Sequence, residues 1–159
     1  MTSHLKSSAE KVQKSLREAG FRCEVKELQE TARSAQEAAD TIGCSIEQIV
    51  KSLVFMGKET GHGVLVLASG PNRVDLTLIR EKVEEKLLKA NADFVREWTG
   101  FAIGGVPPIA HAKPMRTYID QSLMNLEDVW AAAGHPHAVF CISPKDLVAA
   151  TNAEVMKVC

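Results

Sequence analysis

Val50-Lys-Ser-Leu-Val-Phe-Met-Gly-Lys-Glu-Thr-Gly-His-Gly-Val-Leu-Val-Leu-Ala68 is the stretch on which the reading of the fold turns. Residues 50–56 are mostly apolar and β-branched or aromatic, and they read as a strand. Residues 57–63 carry three glycines and three charged or titratable side chains, which read as a turn. Residues 64–68 are wholly apolar, as a strand covered on both faces must be, so they belong near the centre of a sheet. Two such strands joined by a short loop make a hairpin.

Outward from the hairpin, helix signals alternate with short strand signals. Leu5, Ala9, Val12, Leu16 and Ala19 repeat at steps of three and four, giving one face of a helix that Gly20 ends. Residues 21–25 alternate apolar and polar, the pattern of a half-buried strand. Ser34, with Glu37 three residues on, opens a second helix whose apolar face is Ala35, Ala38, Ala39 and Ile42 and which Gly43 stops. Ser45 and Gln48 box a single turn just before the hairpin, and Asp75 caps a helix over 76–83. Residues 84–90 favour helix by propensity, and 91–98 read as a further helix ending at Gly100. Strands follow over 117–120, 129–133 and 138–142, and Ser143 or Pro144 opens a last helix through 150. No repeat or linker divides the chain, so residues 1–159 read as one α+β domain with a mostly sequentially connected sheet.

Composition excludes several classes. The chain has 159 residues, 45% hydrophobic and 25% charged, enough for one self-sufficient core. A formal net charge of −1 gives no whole-molecule attraction to nucleic acid, so such a partner would be held only locally. Cys23, Cys44, Cys141 and Cys159 form no CxxC pair and read as reduced thiols of a cytoplasmic protein. The first 14 residues are polar, unlike a secretory signal, and no apolar run is long enough to span a bilayer. No membrane partner is therefore expected.

Three constellations are open to chemical readings. Lys51 stands where a capped turn meets a strand, either as a solvated edge lysine or as a cation held for a phosphate or carboxylate. Gly104-Gly-Val-Pro-Pro108 is either a plain turn or a stiff loop whose exposed amides could receive an oxyanion. Ala133-Gly-His-Pro-His137 places His135 in a loop, solvated or lining a pocket. Only His135 and His137 have even a weak metal-ligand spacing, and no metal or cofactor is expected. The sequence has no GxSxG elbow, P-loop, GxGxxG or zincin motif.

These blocks together resemble a known family. Thr31-Ala32, Ala38 and Gln48-Ile-Val-Lys-Ser-Leu-Val-Phe55 are similar to the first signature of the YbaK/ProXp family, relatives of the editing domain inserted in bacterial prolyl-tRNA synthetase. Residues 66–71 with Arg73-Val-Asp-Leu76, then Gly100 and Gly104-Gly-Val-Pro-Pro108, resemble the family's next blocks in order. Ile119-Asp-Gln-Ser-Leu123, Ala133-Gly-His-Pro136 and Ile142-Ser-Pro-Lys-Asp-Leu147 continue the series, so the resemblance covers about residues 7–156.

The resemblance implies a compact α+β domain with a mixed, partly barrel-like sheet and helices packed outside, and it makes 87–90 a strand. It implies hydrolysis of the ester between an amino acid and the terminal adenosine of tRNA. Lys51 would hold the terminal phosphate or orient the acceptor end. Amides of Gly104, Gly105 and Val106 would cradle the aminoacyl carbonyl, with Pro108 fixing the loop. Ser52, Gly134 and His135 would border the substrate. The ester is labile, so positioned water, assisted by the substrate's own ribose hydroxyl, would suffice without a protein base. Ile109-Ala110 stands where many relatives have Phe-Gly, which leaves alanine, serine, threonine, cysteine and 2-aminobutyrate open as the amino acid, on tRNA-Pro or a related tRNA. The expected partners are the aminoacyl-tRNA acceptor end and an aminoacyl-tRNA synthetase. The competing reading is a non-catalytic module binding a small ligand or a synthetase on the same fold.

Overall fold

A computed structural model describes residues 7–29 and 34–159. Leu5, Thr31 and Ala32, which the sequence reading used, lie outside the described residues. Among the described residues are helices α1 (Ser7–Glu18), α2 (Ala35–Ile42), α3 (Leu76–Val83), α4 (Ala92–Thr99) and α5 (Pro144–Thr151). Eight strands accompany them: β1 (Lys26–Glu27), β2 (Ile49–Gly57), β3 (Gly63–Ser69), β4 (Leu87–Lys89), β5 (Arg116–Asp120), β6 (Val129–Ala132), β7 (Ala138–Ile142) and β8 (Glu154–Met156).

The helix boundaries follow local chemistry. Ser34 Oγ accepts from the Glu37 N–H at 3.1 Å, Asp75 from Thr77 at 3.0 Å, Asn91 from Phe94 at 2.8 Å and Ser143 from Asp146 at 3.2 Å. Gly43 and Gly100 end α2 and α4 in the left-handed region, with φ of 87° and 82°. Gln48 reaches back to the Ser45 N–H at 3.0 Å, completing the boxed turn before β2.

All eight strands join one mixed sheet in the order β1-β7-β6-β2-β3-β5-β8, with β4 added beside β2. The path is open, so the sheet is not closed into a barrel. Only β2–β3 and β6–β7 are neighbours in both sequence and sheet, unlike the mostly sequential order expected. The β2–β3 hairpin is its spine, in register from Val50 opposite Ser69 to Met56 opposite Gly63. Both faces of β3 are covered: Leu65 and Leu67 belong to the main core with α1, while Val64, Val66 and Ala68 face a second cluster beneath α3. The continuous apolar run of 64–68 is thus accounted for.

One strand reading needs correction, and one strand had no reading. Residues 21–25 bury Val25 as the alternation demanded, yet they join no ladder; pairing begins only at Lys26, opposite Val139. The buried Gln13 supplies what a neighbouring strand would have given. Its Nε2 donates to the Cys23 carbonyl at 2.9 Å, and its Oε1 accepts from the Val25 N–H at 2.8 Å. Strand β8, three residues long, carried no sequence signal of its own; it docks parallel to β5, with Tyr118 opposite Glu154.

Gly70, just after β3, sits against the turn that precedes β2. A Cβ there would collide with the Ile46 carbonyl oxygen and approach Ile46 Cγ1 to 2.9 Å. Gly70→Ala is expected to destabilise the fold by about 1–3 kcal/mol, read as a lower midpoint in thermal or urea denaturation.

Candidate functional site

Strand β2 has one edge filled by β3 along its length. Its other edge is shared: β6 pairs with Ile49 and Val50, and β4 pairs with residues 55–57. Among the described residues no strand lies beside 51–54 on that edge, and a cleft of about 390 Å³ opens there. Ala35, Ala38 and Ile42 of α2 form one wall, and Ile103, Gly104 and Val106 form another. The apolar face of α2 is therefore divided, with Ala39 in the core and its neighbours on the cleft. Ile103 is 58% exposed at this rim, the side chain of a large apolar residue left open to solvent. Trp130 also borders the cleft and carries Lys26 Nζ 5.4 Å from its ring centre.

Lys51 and Ser52 lie on this cleft together with Gly104 and Val106. Lys51 Nζ donates to the Asn72 carbonyl at 2.5 Å. Burial is the main cause pushing the Lys51 ammonium below its ordinary pKa, and the nearby Arg73 adds to it. Asp120 opposes both. A cation so placed, short of water and beside another cation, gains more than usual from an arriving anion. The Ser52 hydroxyl is buried with no hydrogen-bond partner among the described residues.

Asp120 and Asn72 were not singled out by sequence. Asp120 is 1% exposed, and its Oδ2 accepts from the Ser69 N–H at 3.0 Å and Asn72 Nδ2 at 2.8 Å. Its Oδ1 accepts from the Ser122 N–H at 2.9 Å. The carboxylate thus ties the end of β3 to the segment that presents its carbonyl to Lys51. The adjacent Asp-Gln-Ser pattern was the available signal, since Asp120 caps the short turn that begins there.

Gly105, Pro108, Gly134 and His135 do not border this cleft. A Cβ on Gly105 would meet His135 N and Cα at 2.8 Å, and one on Gly134 would meet the Ser8 carbonyl oxygen at 2.6 Å. These glycines let the two loops and the start of α1 pack backbone against backbone. His135 Nδ1 accepts from the His137 N–H at 3.1 Å, and the two rings lie 5.1 Å apart. Pro108 lies beside a different depression with Ile109, Ala110 and His111. There His111 Nε2 lies 2.6 Å from the Pro107 carbonyl, so that nitrogen carries the proton and donates. Burial pushes the His111 pKa down, favouring the neutral ring. This bond closes the turn in which Ala110 takes a φ of 66°.

Among the described residues no three His, Cys, Asp or Glu side chains gather as a metal site needs, and no helix is long and apolar enough to cross a membrane. Burial raises the pKa of the Cys23, Cys44 and Cys141 thiols, which disfavours the nucleophilic thiolate. Among the described residues the cleft's chemical means are the Lys51 cation with Arg73 nearby, a glycine loop and the unfilled edge of β2.

The profile of the aminoacyl-tRNA editing domain matches residues 29–150. The chain belongs to that family. The protein resembles a crystal structure described as "a putative trans-editing enzyme for prolyl tRNA synthetase", with 46% identity, 98% of each chain covered and a TM-score of 0.93. It is 33% identical over 124 residues to the uncharacterized protein YwhH of Bacillus subtilis, covering 78% of each. It is also 25% identical over 126 residues to the "Putative Cys-tRNA(Pro)/Cys-tRNA(Cys) deacylase EbsC" of Enterococcus faecalis, covering 79% of this chain and 76% of that one. Editing of aminoacyl-tRNA is therefore the general activity of the family to which this fold and cleft belong.

Asp120→Asn puts an amide N–H against groups that can only donate. It is expected to cost about 1–3 kcal/mol of stability, measured by urea denaturation. Ser122→Ala, which keeps the backbone donor, is expected to cost less than about 1 kcal/mol in the same measurement.

Proposed function

We propose that this protein hydrolyses the ester of a small amino acid wrongly attached to tRNA, acting on a tRNA released by its synthetase. The observation that carries this reading is the meeting of Lys51 and the Gly104 loop across one open cleft in a chain of the editing family. No bulky side chain among the described residues plugs the cleft, which favours a substrate site over a merely structural hollow.

In this reading Lys51 binds a phosphate of the acceptor end, and its weakened solvation makes that contact favourable. The amides of Gly104 and Val106 receive the ester carbonyl as it becomes an oxyanion, with Pro108 stiffening the loop. The Gly105 N–H already donates to the Ala102 carbonyl at 3.1 Å and so holds the loop's shape. Water attacks the carbonyl carbon, the acyl–oxygen bond breaks, and the ribose hydroxyl leaves with a proton. One oxyanion donor is worth about 10²–10³ in rate, enough for a labile ester without a strong protein base. Ser52 borders the acyl group, while Gly134 and His135 support the loop from behind by the close backbone contact at Gly105. The walls from Ala35, Ala38 and Ile42 suit a small side chain. The EbsC likeness puts cysteine among the first amino acids to try, and the trans-editing likeness puts tRNA-Pro first among tRNAs. A net charge of −1 fits contact restricted to the acceptor end, aided by a synthetase, in the cytoplasm.

The test is deacylation of tRNA-Pro charged with Ala, Ser, Thr, Cys, 2-aminobutyrate or Pro, comparing the wild type with Lys51→Ala. Clearance of a mischarged tRNA that falls by about 100-fold in Lys51→Ala and recovers in part in Lys51→Arg is the expected result. Survival of every ester would refute the hydrolase and leave a ligand-binding module.

A further inference from the structure

The direction of each peptide group along β2 can be worked out from its two ends. The Gly57 N–H donates to the His62 carbonyl at 2.9 Å, on the β3 side. The Lys58 N–H donates to the Lys86 carbonyl at 2.8 Å, on the β4 side. Peptide groups alternate sides residue by residue in a strand. Residues 51, 53, 55 and 57 therefore turn N–H and C=O toward β3, and residues 50, 52, 54 and 56 turn them away from it. On that far side the β6 register ends at Val50 opposite Ala131, and the β4 register begins at Phe55 opposite Lys89. Ser52 falls between them, with its N–H and C=O directed into the interval that the cleft occupies.

The interval is short and closed at both ends. Residues 51–54, which have no described partner on this edge, span about 13 Å at about 3.3 Å each, and β6 and β4 occupy the same edge on either side. A peptide strand running along β2 would collide with one or the other. A single amino acid in extended form, with one donor and one carbonyl on the same side, matches Ser52 as the opposite residue of a strand pair does.

We propose that the substrate's aminoacyl group completes the sheet at this interval, its α-ammonium donating to the Ser52 carbonyl and its ester carbonyl accepting from the Ser52 N–H. The identity of the occupant rests on the hydrolase reading above. A carbonyl oxygen has two lone pairs, so the Ser52 N–H and the Gly104 loop can address it together. The substrate class follows: esters of amino acids with a free α-ammonium. Esters lacking the amine lose the Ser52 acceptor contact, and N-acylated or peptidyl esters carry atoms into a space that β6 and β4 close.

The test uses tRNA-Pro carrying alanyl, propionyl or N-acetylalanyl groups. Alanine is small enough to enter whichever small side-chain pocket is present. A hydrogen bond to a charged group predicts kcat/KM at least about tenfold lower for propionyl-tRNA than for alanyl-tRNA, with N-acetylalanyl-tRNA equally poor. Clearance of propionyl-tRNA at the alanyl rate overturns the proposal. A second measurement separates it from the hydrolase reading: the ¹⁵N–¹H signal of Ser52 during titration with 3′-alanylamino-3′-deoxyadenosine, an amide that cannot be cleaved as an ester. If no tRNA is deacylated, the hydrolase reading fails. A Ser52 signal that shifts with this probe and not with its propionyl counterpart still supports the proposal, and a Ser52 signal unmoved by the alanyl probe overturns it.

Discussion

A strand has two edges, and the rest of this structure depends on how β2 divides its second one. β3 takes the first edge from end to end, so the hairpin is held rigidly in register. β6 and β4 then claim opposite ends of the other edge, and no strand among the described residues pairs with 51–54 there. An interior strand with unfilled peptide groups has a standing need for polar partners. A cleft placed there can offer backbone donors and acceptors on a floor that cannot shift without breaking seven registered pairs with β3. Lys51 and Ser52, adjacent in sequence, both reach the cleft because its floor is an edge and not a face.

The walls are held by different means. Gly105 and Gly134 allow the 104–106 and 133–137 loops to touch through their backbones, and Gly134 in turn seats on the Ser8 carbonyl at the start of α1. Phe101 is buried beside that contact, with Lys11 Nζ 5.0 Å from its ring centre. The amphipathic face of α1, with Ala9, Val12 and Leu16 fully buried, thus anchors a loop far along the chain. On the opposite side, Asp120 and Asn72 fix the carbonyl that receives Lys51. The site is a set of small elements pinned to one sheet, so its geometry is preformed.

Local chemistry made much of this visible in the sequence. Side-chain caps at Ser34, Asp75, Asn91 and Ser143 act within three residues, and the helices begin where those residues stand. The apolar run at 64–68 announced a doubly covered strand because burial on both faces leaves no polar alternation. What failed was non-local. Residues 21–25 alternate as a strand does, but Gln13 satisfies their backbone and no ladder forms. β8 and β1 are two or three residues long and owe their existence to neighbours far along the chain. For the site, Lys51, Ser52 and the glycine loop were legible through their resemblance to a family, whereas Asp120 read only as the end of a short strand within one of the family's blocks, with no role of its own. Sequence also could not reveal the interval in β2's second edge, since register belongs to three strands at once. It could not separate glycines bordering the cleft from those packing behind it, because both carry the same composition.

Native-state amide hydrogen exchange along β2 tests the unpaired edge directly. Ser52 should exchange at least about tenfold faster than Leu53 and Phe55, whose N–H groups turn to β3. A Ser52 amide protected as well as those two would mean that the edge is filled, and the account of the cleft would be wrong.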